Sequence, residues 1–333
     1  MKSPFKLTLI ILALASTIST YAQNSMVTSE LVASANSTAI SVVTASPKIE
    51  KQKAVIITGA RFAYPLIQKW IDDYSNANPN AQIVIESRGS ADPAQYDILV
   101  EAYDQDEEIK KTRDYTNVAR YAILPIANSK SAFAKLYADK GLNKDLINQL
   151  FFHDIYSEKK DLTVKEIKVP FTIYTRLQKA GAPIVFTKYF GYQQKDIKGK
   201  AIAGADEHLL KAVLRDSLGV SYLPLSLIYD QASKKLVAGL TVLPVDLNGN
   251  GRVSDDEKFY NDLATVVEKL EGGGIRGGIQ NVPLEPLHLS VAKNSASTEA
   301  LEFLKWIVAN GQKDLHAFGF IKPEQSNQGL SNP

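Results

Sequence analysis

Residues 246–257 read DLNGNGRVSDDE, a spacing that suits a hard cation. Asp246, Asn248 and Asn250 offer side-chain oxygens at loop positions one, three and five, and Gly251 makes the sharp turn at six. Arg252 offers its backbone carbonyl at seven, Ser254 can hold a bridging water at nine, and Glu257 can close the shell with both carboxylate oxygens at twelve. Every constrained position of D-x-[DN]-x-[DN]-G-x5-E is filled, and the apolar Val253 at position eight is available for packing. All-oxygen ligands of this kind point to calcium, and a set with only two carboxylates implies an affinity on the order of 10⁻⁴ M, as in extracellular modules. The flanks are not those of a helix–loop–helix pair. An apolar TVLPV run enters, a helix over residues 255–270 is expected to leave, and no second such loop exists, so the expected role is structural, pinning that helix. The alternative is a polar Asn-Gly turn without an ion.

A second chemistry begins at residues 54–74, AVIITGARFAYPLIQKWIDDY. Apolar and β-branched residues lead into Gly59, Pro65 presets a first helical turn, and Leu66, Ile67, Trp70, Ile71 and Tyr74 mark one helical face. A strand that opens into a helix N-terminus exposes unpaired N–H groups and the positive end of the dipole, which together attract anions. Arg61 stands in this turn. A cation there is disfavoured by up to about 1 kcal/mol through the dipole. Either its side chain bends into solvent, or it adds a guanidinium fork suited to carboxylate or phosphate oxygens. Further along, Val169–Tyr174 reads as a strand leading to Arg176, followed by Gly181, and Gly89-Ser90 follows the strand-like QIVIE. Arg176 is read either as an anion contact or as one half of an ion pair with a neighbouring carboxylate.

Catalytic patterns are missing. His153, His208, His288 and His316 are far apart and show no metal-ligand spacing, and Ser221 in GVSYL does not form a GxSxG elbow. A binding protein is therefore expected, not an enzyme. With 38 Lys and Arg against 36 Asp and Glu, the formal charge of +2 gives no general attraction to nucleic acid or membrane, so anion recognition must be local.

The elements that must position these residues alternate between strand and helix from Ala54 onward, which argues for α/β layers. Residues 1–22 read as a secretory signal, with Lys2 and Lys6, a short apolar run and Thr20-Tyr21-Ala22 at its end. Residues 23–46, rich in Ser, Thr and Ala, are expected to form a flexible arm. The chain has no cysteine, which excludes disulfides, thiolate metal sites and a Cys-borne lipid anchor. The core alone must stabilise an exported chain of this length, most simply as two lobes.

The turn at residues 59–70 also resembles the opening of the periplasmic phosphate-binding proteins of ABC importers, whose pattern is close to GATFPAPxYxKW; Gly59, Ala60, Phe62, Pro65, Lys69 and Trp70 match it. VARYAILPIAN (118–128) is similar to that family's strand crossing between lobes, IYTRLQKAGAPIVF (173–186) to its ligand-arginine segment, GVSYLPL (219–225) to an inner strand, PLEPLHLSV (283–291) to the return strand, and FLKWIVANGQ (303–312) with FGFI (318–321) to the closing helix. The resemblance implies a two-lobed periplasmic-binding-protein fold with two crossover strands and a ligand cleft between the lobes. It places residues 47–117 with 287–333 in lobe one, and 118–286, including the calcium loop, in lobe two. It implies ligand contacts at Gly59, Arg61, Phe62, Ser90, Arg176 and Gly181, with Asp97 or Asp104 as the weaker counterpart of an acidic ligand. Arg61 replaces a ligand hydroxyl, and Ala180 and Ala182 replace the Ser and Thr flanking the family's central glycine. Three lost hydroxyls and a gained arginine favour a larger phosphorylated or carboxylated anion over bare phosphate. The implied protein is a periplasmic or secreted monomer that binds an oxyanion solute, does not bind nucleic acid, and hands its cargo to a membrane permease. The alternative is a calcium-stabilised extracellular interaction protein whose cleft has degenerated.

Overall fold

A computed structural model describes residues 54–87, 92–153, 167–272 and 282–324. The expected signal (1–22), the arm (23–46), Ser90 and most of the glycine-rich GGGIRGG segment lie outside the described residues.

The first element is β1 (Val55–Gly59), which turns at Arg61–Ala63 into α1 (Tyr64–Ala77). The buried residues of α1 are Leu66, Ile67, Trp70, Ile71 and Tyr74, the face expected from their helical spacing. β2 (Ile83–Ile85) and β3 (Ile98–Glu101) then flank β1, both parallel to it. After α2 (Glu107–Thr112) comes β4 (Arg113–Asn128), sixteen residues long and the longest strand. α3 (Ala132–Lys140), α4 (Lys144–Phe151), β5 (Thr172–Arg176), α5 (Gly181–Tyr189), β6 (Lys200–Ile202), α6 (Asp206–Arg215), β7 (Gly219–Pro224), α7 (Leu225–Ile228), β8 (Leu240–Val242) and α8 (Leu263–Leu270) follow. β9 (Leu284–Ala292) and α9 (Thr298–Asn310) complete the described elements.

The strands lie in the order β2-β1-β3-β9-β4-β7-β5-β6, with β8 also on β4. β4 holds the two halves of this path together. Its first part pairs antiparallel with β9, from Arg113↔Ala292 to Ala122↔Leu284, with a register shift between Asn117 and Ala119. Its second part pairs with β7, from Ile123↔Pro224 to Ala127↔Val220, and with β8. Residues 121–128 are all buried, as a strand covered on both faces requires, and their sequence is a nearly unbroken apolar run. The return of the chain through β9 lets α9 cover α1. Tyr74 packs on Phe303 with ring centroids 5.1 Å apart, and Trp70 Nε1 donates to the Gly311 carbonyl at 2.8 Å.

The helix expected over residues 255–270 is broken. Asp255–Glu257 forms a single 3-10 turn, and α8 begins at Leu263. The cause is tertiary: the Tyr260 carbonyl accepts from Tyr229 Oη at 2.8 Å and the buried Tyr260 ring turns inward, while Asp262 recaps the chain by accepting from the Thr265 amide at 3.0 Å. The other expected elements are found with ends shifted by a few residues.

His288 sits on β9 opposite Asn117 and Glu101, its ring edge-on to Tyr115 at 5.9 Å. Burial pushes its pKa below the ordinary histidine range, against the pull of Asp104. A histidine that folding makes less basic binds fewer protons when native than when unfolded, so stability falls as pH drops below about 6.5 and stops falling below the folded pKa. Urea denaturation at pH 7.5 and 5.5 is expected to show this loss, and His288→Gln to reduce it; an equal loss in the variant contradicts the assignment.

Candidate functional site

A cavity of about 490 Å³ opens where the turn after β1, the segment after β3, the end of β5 and the starts of α5 and α6 converge. Gly59, Arg61, Phe62, Arg176 and Gly181 all line it; Ser90 lies outside the described residues.

Gly59 is required by geometry. At φ +134°, a Cβ here would lie 2.2 Å from the Val100 carbonyl oxygen. Its own amide donates to Tyr64 Oη at 3.0 Å, and the Ala60 amide to the Val100 carbonyl at 2.9 Å. These two N–H groups are therefore spent on the protein. The Arg61 and Phe62 amides stand at the open end of the following turn, where helical geometry gives them no partner. The Phe62 ring is core, 2% exposed and 4.9 Å from Tyr121. Arg61 is exposed at the rim, where its Nη2 donates to the Ser87 carbonyl at 2.7 Å and ties the guanidinium to the segment after β2.

Arg176 lies across the cavity at the end of β5. Its Nη1 donates to Asp206 Oδ1 at 2.6 Å, and the two side chains are only 10% and 9% exposed. Burial pushes the Asp206 carboxyl up, and the Arg176 charge opposes that shift. Arg176 Nε is buried and has no hydrogen-bond partner among the described residues. Sequence spacing gave no sign of Asp206 as a partner, because it lies 30 residues away at the first turn of α6.

Gly181 opens α5 against the segment after β3. A Cβ there would meet Ala102 Cβ at 2.8 Å, so this close approach depends on glycine. Ala180 is the N-cap and supplies no side-chain hydrogen bond, and Ala182 is fully buried. The amides of the first turn of α5 thus face the cavity end of the helix without a capping hydroxyl. At the start of α6 the N-cap Ala205 likewise supplies no side-chain hydrogen bond, and the amides that precede the helix are already taken: His208 Nδ1 accepts from the Ala205 amide at 3.1 Å, and Gln178 Oε1 from the Gly204 amide at 3.0 Å.

Asp97 and Asp104 do not line the cavity. Asp97 accepts from the Ile56 amide at 2.9 Å. Asp104 pairs with Lys188 at 3.0 Å, which holds its carboxyl below the usual range. Glu101 does line it. Its Oε1 accepts from Ser290 Oγ, which in turn accepts from Arg113 Nε at 2.8 Å, in a buried chain across β3, β9 and β4. Together with Lys179, 5.5 Å over the Tyr103 ring, the lining carries three cationic side chains (Arg61, Arg176, Lys179) against two carboxylates (Glu101, Asp206). This balance suits one modestly charged anion better than a highly charged one.

The loop carrying Asp246, Asn248, Asn250, Arg252 and Glu257 lies between β8 and α8, apart from this cavity's lining. Among the described residues no group of three or more His, Asp or Glu side chains is placed to hold a metal, and this loop has only two carboxylates, Asp246 and Glu257, at its ligand positions.

Removing one member of a buried ion pair strands the other. Arg176→Leu is expected to lose about 3–5 kcal/mol in urea denaturation, and the double variant Arg176→Leu/Asp206→Leu to recover much of it. Equal losses in the single and double variants contradict a coupled pair.

No model of a known protein family matches the sequence, and no match is found among curated proteins. Solved structures do match. A protein described as a phosphate ABC transporter substrate-binding protein with bound phosphate from Clostridium perfringens superposes with TM-score 0.59 at 15% identity, over 82% of this chain and 100% of that one. An ABC-type phosphate transport receptor from Vibrio cholerae superposes with TM-score 0.53 at 12% identity, over 81% of this chain and 100% of that one. At these identities the likeness speaks for architecture, and the architecture is the two-lobed periplasmic-binding-protein fold.

Proposed function

We propose that this chain is a solute-binding protein of the periplasm or cell exterior that closes over an oxyanion and delivers it to an ABC permease. The observation that carries this reading is Arg176 Nε, a buried cationic donor without a partner among the described residues, in a side chain lining the cavity beside the uncapped start of α5. A buried donor left unmade costs about 1–3 kcal/mol, and more when charged, which an acceptor from a bound anion relieves. Likeness to a phosphate-bound structure supports the same class of ligand.

The cavity favours an anion larger than bare phosphate. About 490 Å³ falls in the range of about 300–1,000 Å³ that holds small organic ligands. Leu99, Ala102 and Ala205 offer apolar wall, and Arg61 stands at the rim. A phosphate monoester fits this mixture best, and a polycarboxylate, with its larger charge, is the second candidate. The protein acts as a monomer by binding and release, without turnover and without nucleic acid. No helix among the described residues is long and apolar enough to cross a membrane.

The second reading, a calcium-stabilised interaction protein with a degenerate cleft, draws on the Arg176–Asp206 pair, which already neutralises the central cation. Thermal unfolding with inorganic phosphate, glycerol phosphate and citrate separates the two. The solute-binding reading predicts stabilisation by at least one of these, about 2.7 kcal/mol at a hundred times Kd, and none in Gly181→Val. For the larger anion, Arg61→Ala is expected to weaken binding by roughly tenfold or more, the weight of one charge-assisted hydrogen bond. Tight phosphate binding indifferent to Arg61→Ala contradicts the larger-anion reading. Stabilisation by none of the anions favours the scaffold.

A further inference from the structure

We infer that the loop from Asp246 to Glu257 is a calcium site, separate from the cleft. The sequence pattern fills all constrained ligand positions, and the fold brings the two ends of that pattern together at a buried point. Asp246 is 1% exposed and Glu257 is 0% exposed. Both oxygens of Glu257 are turned back on the loop. Oε1 accepts from the Leu247 amide at 2.7 Å and the Asn248 amide at 3.2 Å, and Oε2 accepts from the Ser254 amide at 2.9 Å and Ser254 Oγ at 2.6 Å. Asp246 accepts from the Asn250 amide at 3.0 Å and the Gly251 amide at 2.7 Å.

Those hydrogen bonds shape the loop and satisfy the carboxylate oxygens, but they bring no positive charge to it. Glu257 is fully buried and has no ion-pair partner among the described residues; the adjacent Lys258 turns to Asp255 at 3.1 Å instead. A buried carboxylate is normally matched by a cationic side chain or a metal ion. The sequence supplies the other ligands of a cation here, namely Asn248, Asn250, the Arg252 carbonyl and Ser254. Amide, carbonyl and hydroxyl oxygens with two carboxylates, on an irregular loop, select calcium over the smaller magnesium, which requires near-octahedral geometry and retains its waters. The ion would not cap a long helix, since the chain leaves Glu257 through a single turn. It would instead fix the crossing from β8 to Tyr260, whose Oη accepts from the Val245 amide at 3.4 Å, and so tie the loop to the core beside β4.

Tyr260, three residues beyond Glu257, makes the site readable. Terbium bound in the loop is expected to show tyrosine-sensitised luminescence that calcium displaces. Thermal unfolding of the purified full chain in calcium against EGTA is expected to show a rise in melting temperature. At a hundred times Kd the folded-to-unfolded ratio rises about a hundredfold, with Kd on the order of 10⁻⁴ M. Glu257→Gln is expected to abolish both signals. Because that side chain is buried, the exposed Asn250→Ala is a second variant that keeps the test open if Glu257→Gln does not fold, and it is expected to weaken terbium and calcium binding by about tenfold or more. Terbium luminescence unchanged in both variants, or a melting temperature indifferent to calcium, overturns the inference. Neither result bears on the cleft, whose anion response is read in EGTA.

Discussion

The structure depends on a single constraint, that β4 must pair along its whole length with different partners at its two ends. Its first residues take their hydrogen bonds from β9 and its last from β7 and β8. The chain therefore builds its buried core along both faces of one continuous strand, and β9 returns beside it. The cavity is lined by segments that follow β1 and β3 on one side of β4 in the strand order and β5 and β6 on the other. Strand-to-helix turns point their open amides into it because parallel strands end where their helices begin. The nearly unbroken apolar run of residues 121–128 is what a strand buried on both faces requires.

The cleft combines features that favour an anion with features that restrain it. The turn at Arg61–Ala63 and the uncapped α5 present amides, while Gly59 and Gly181 permit backbone approaches that a side chain would block. Against these, Asp206 holds Arg176, and Glu101 is bound into the Arg113–Ser290 chain below the cavity. Few formal charges remain uncompensated. Ala180 and Ala182 carry no hydroxyl donors, so selectivity has to rest on shape, amide donors and the rim arginine.

Much of this frame was legible in the sequence. Where periodicity or local backbone chemistry decides the outcome, expectation and structure coincide, as in the buried face of α1, the strand leading to Gly59 and the crossing strand within β4. Gly59, Arg61, Phe62, Arg176 and Gly181, scattered over some 120 positions, line one cavity. What escaped the sequence depends on contacts between distant segments. The Arg176–Asp206 pair spans 30 residues, and the Glu101–Ser290 bond spans 189. The helix expected over residues 255–270 forms only from Leu263 onward because Tyr229 and the core claim Tyr260, a tertiary contact that overrides a good local helical pattern. Asp97 and Asp104, the weaker counterparts of an acidic ligand, are engaged instead by a strand amide and a surface lysine.

The central claim is that the cavity is an anion site organised by Arg176 and the start of α5. The most direct measurement is a crystal structure of the protein grown with glycerol phosphate. The account predicts ligand density in the cavity, with an oxyanion within hydrogen-bond distance of Arg176 Nε and the Gly181 and Ala182 amides. A cavity holding only water at saturating glycerol phosphate, with Arg176 still turned wholly to Asp206, would contradict it.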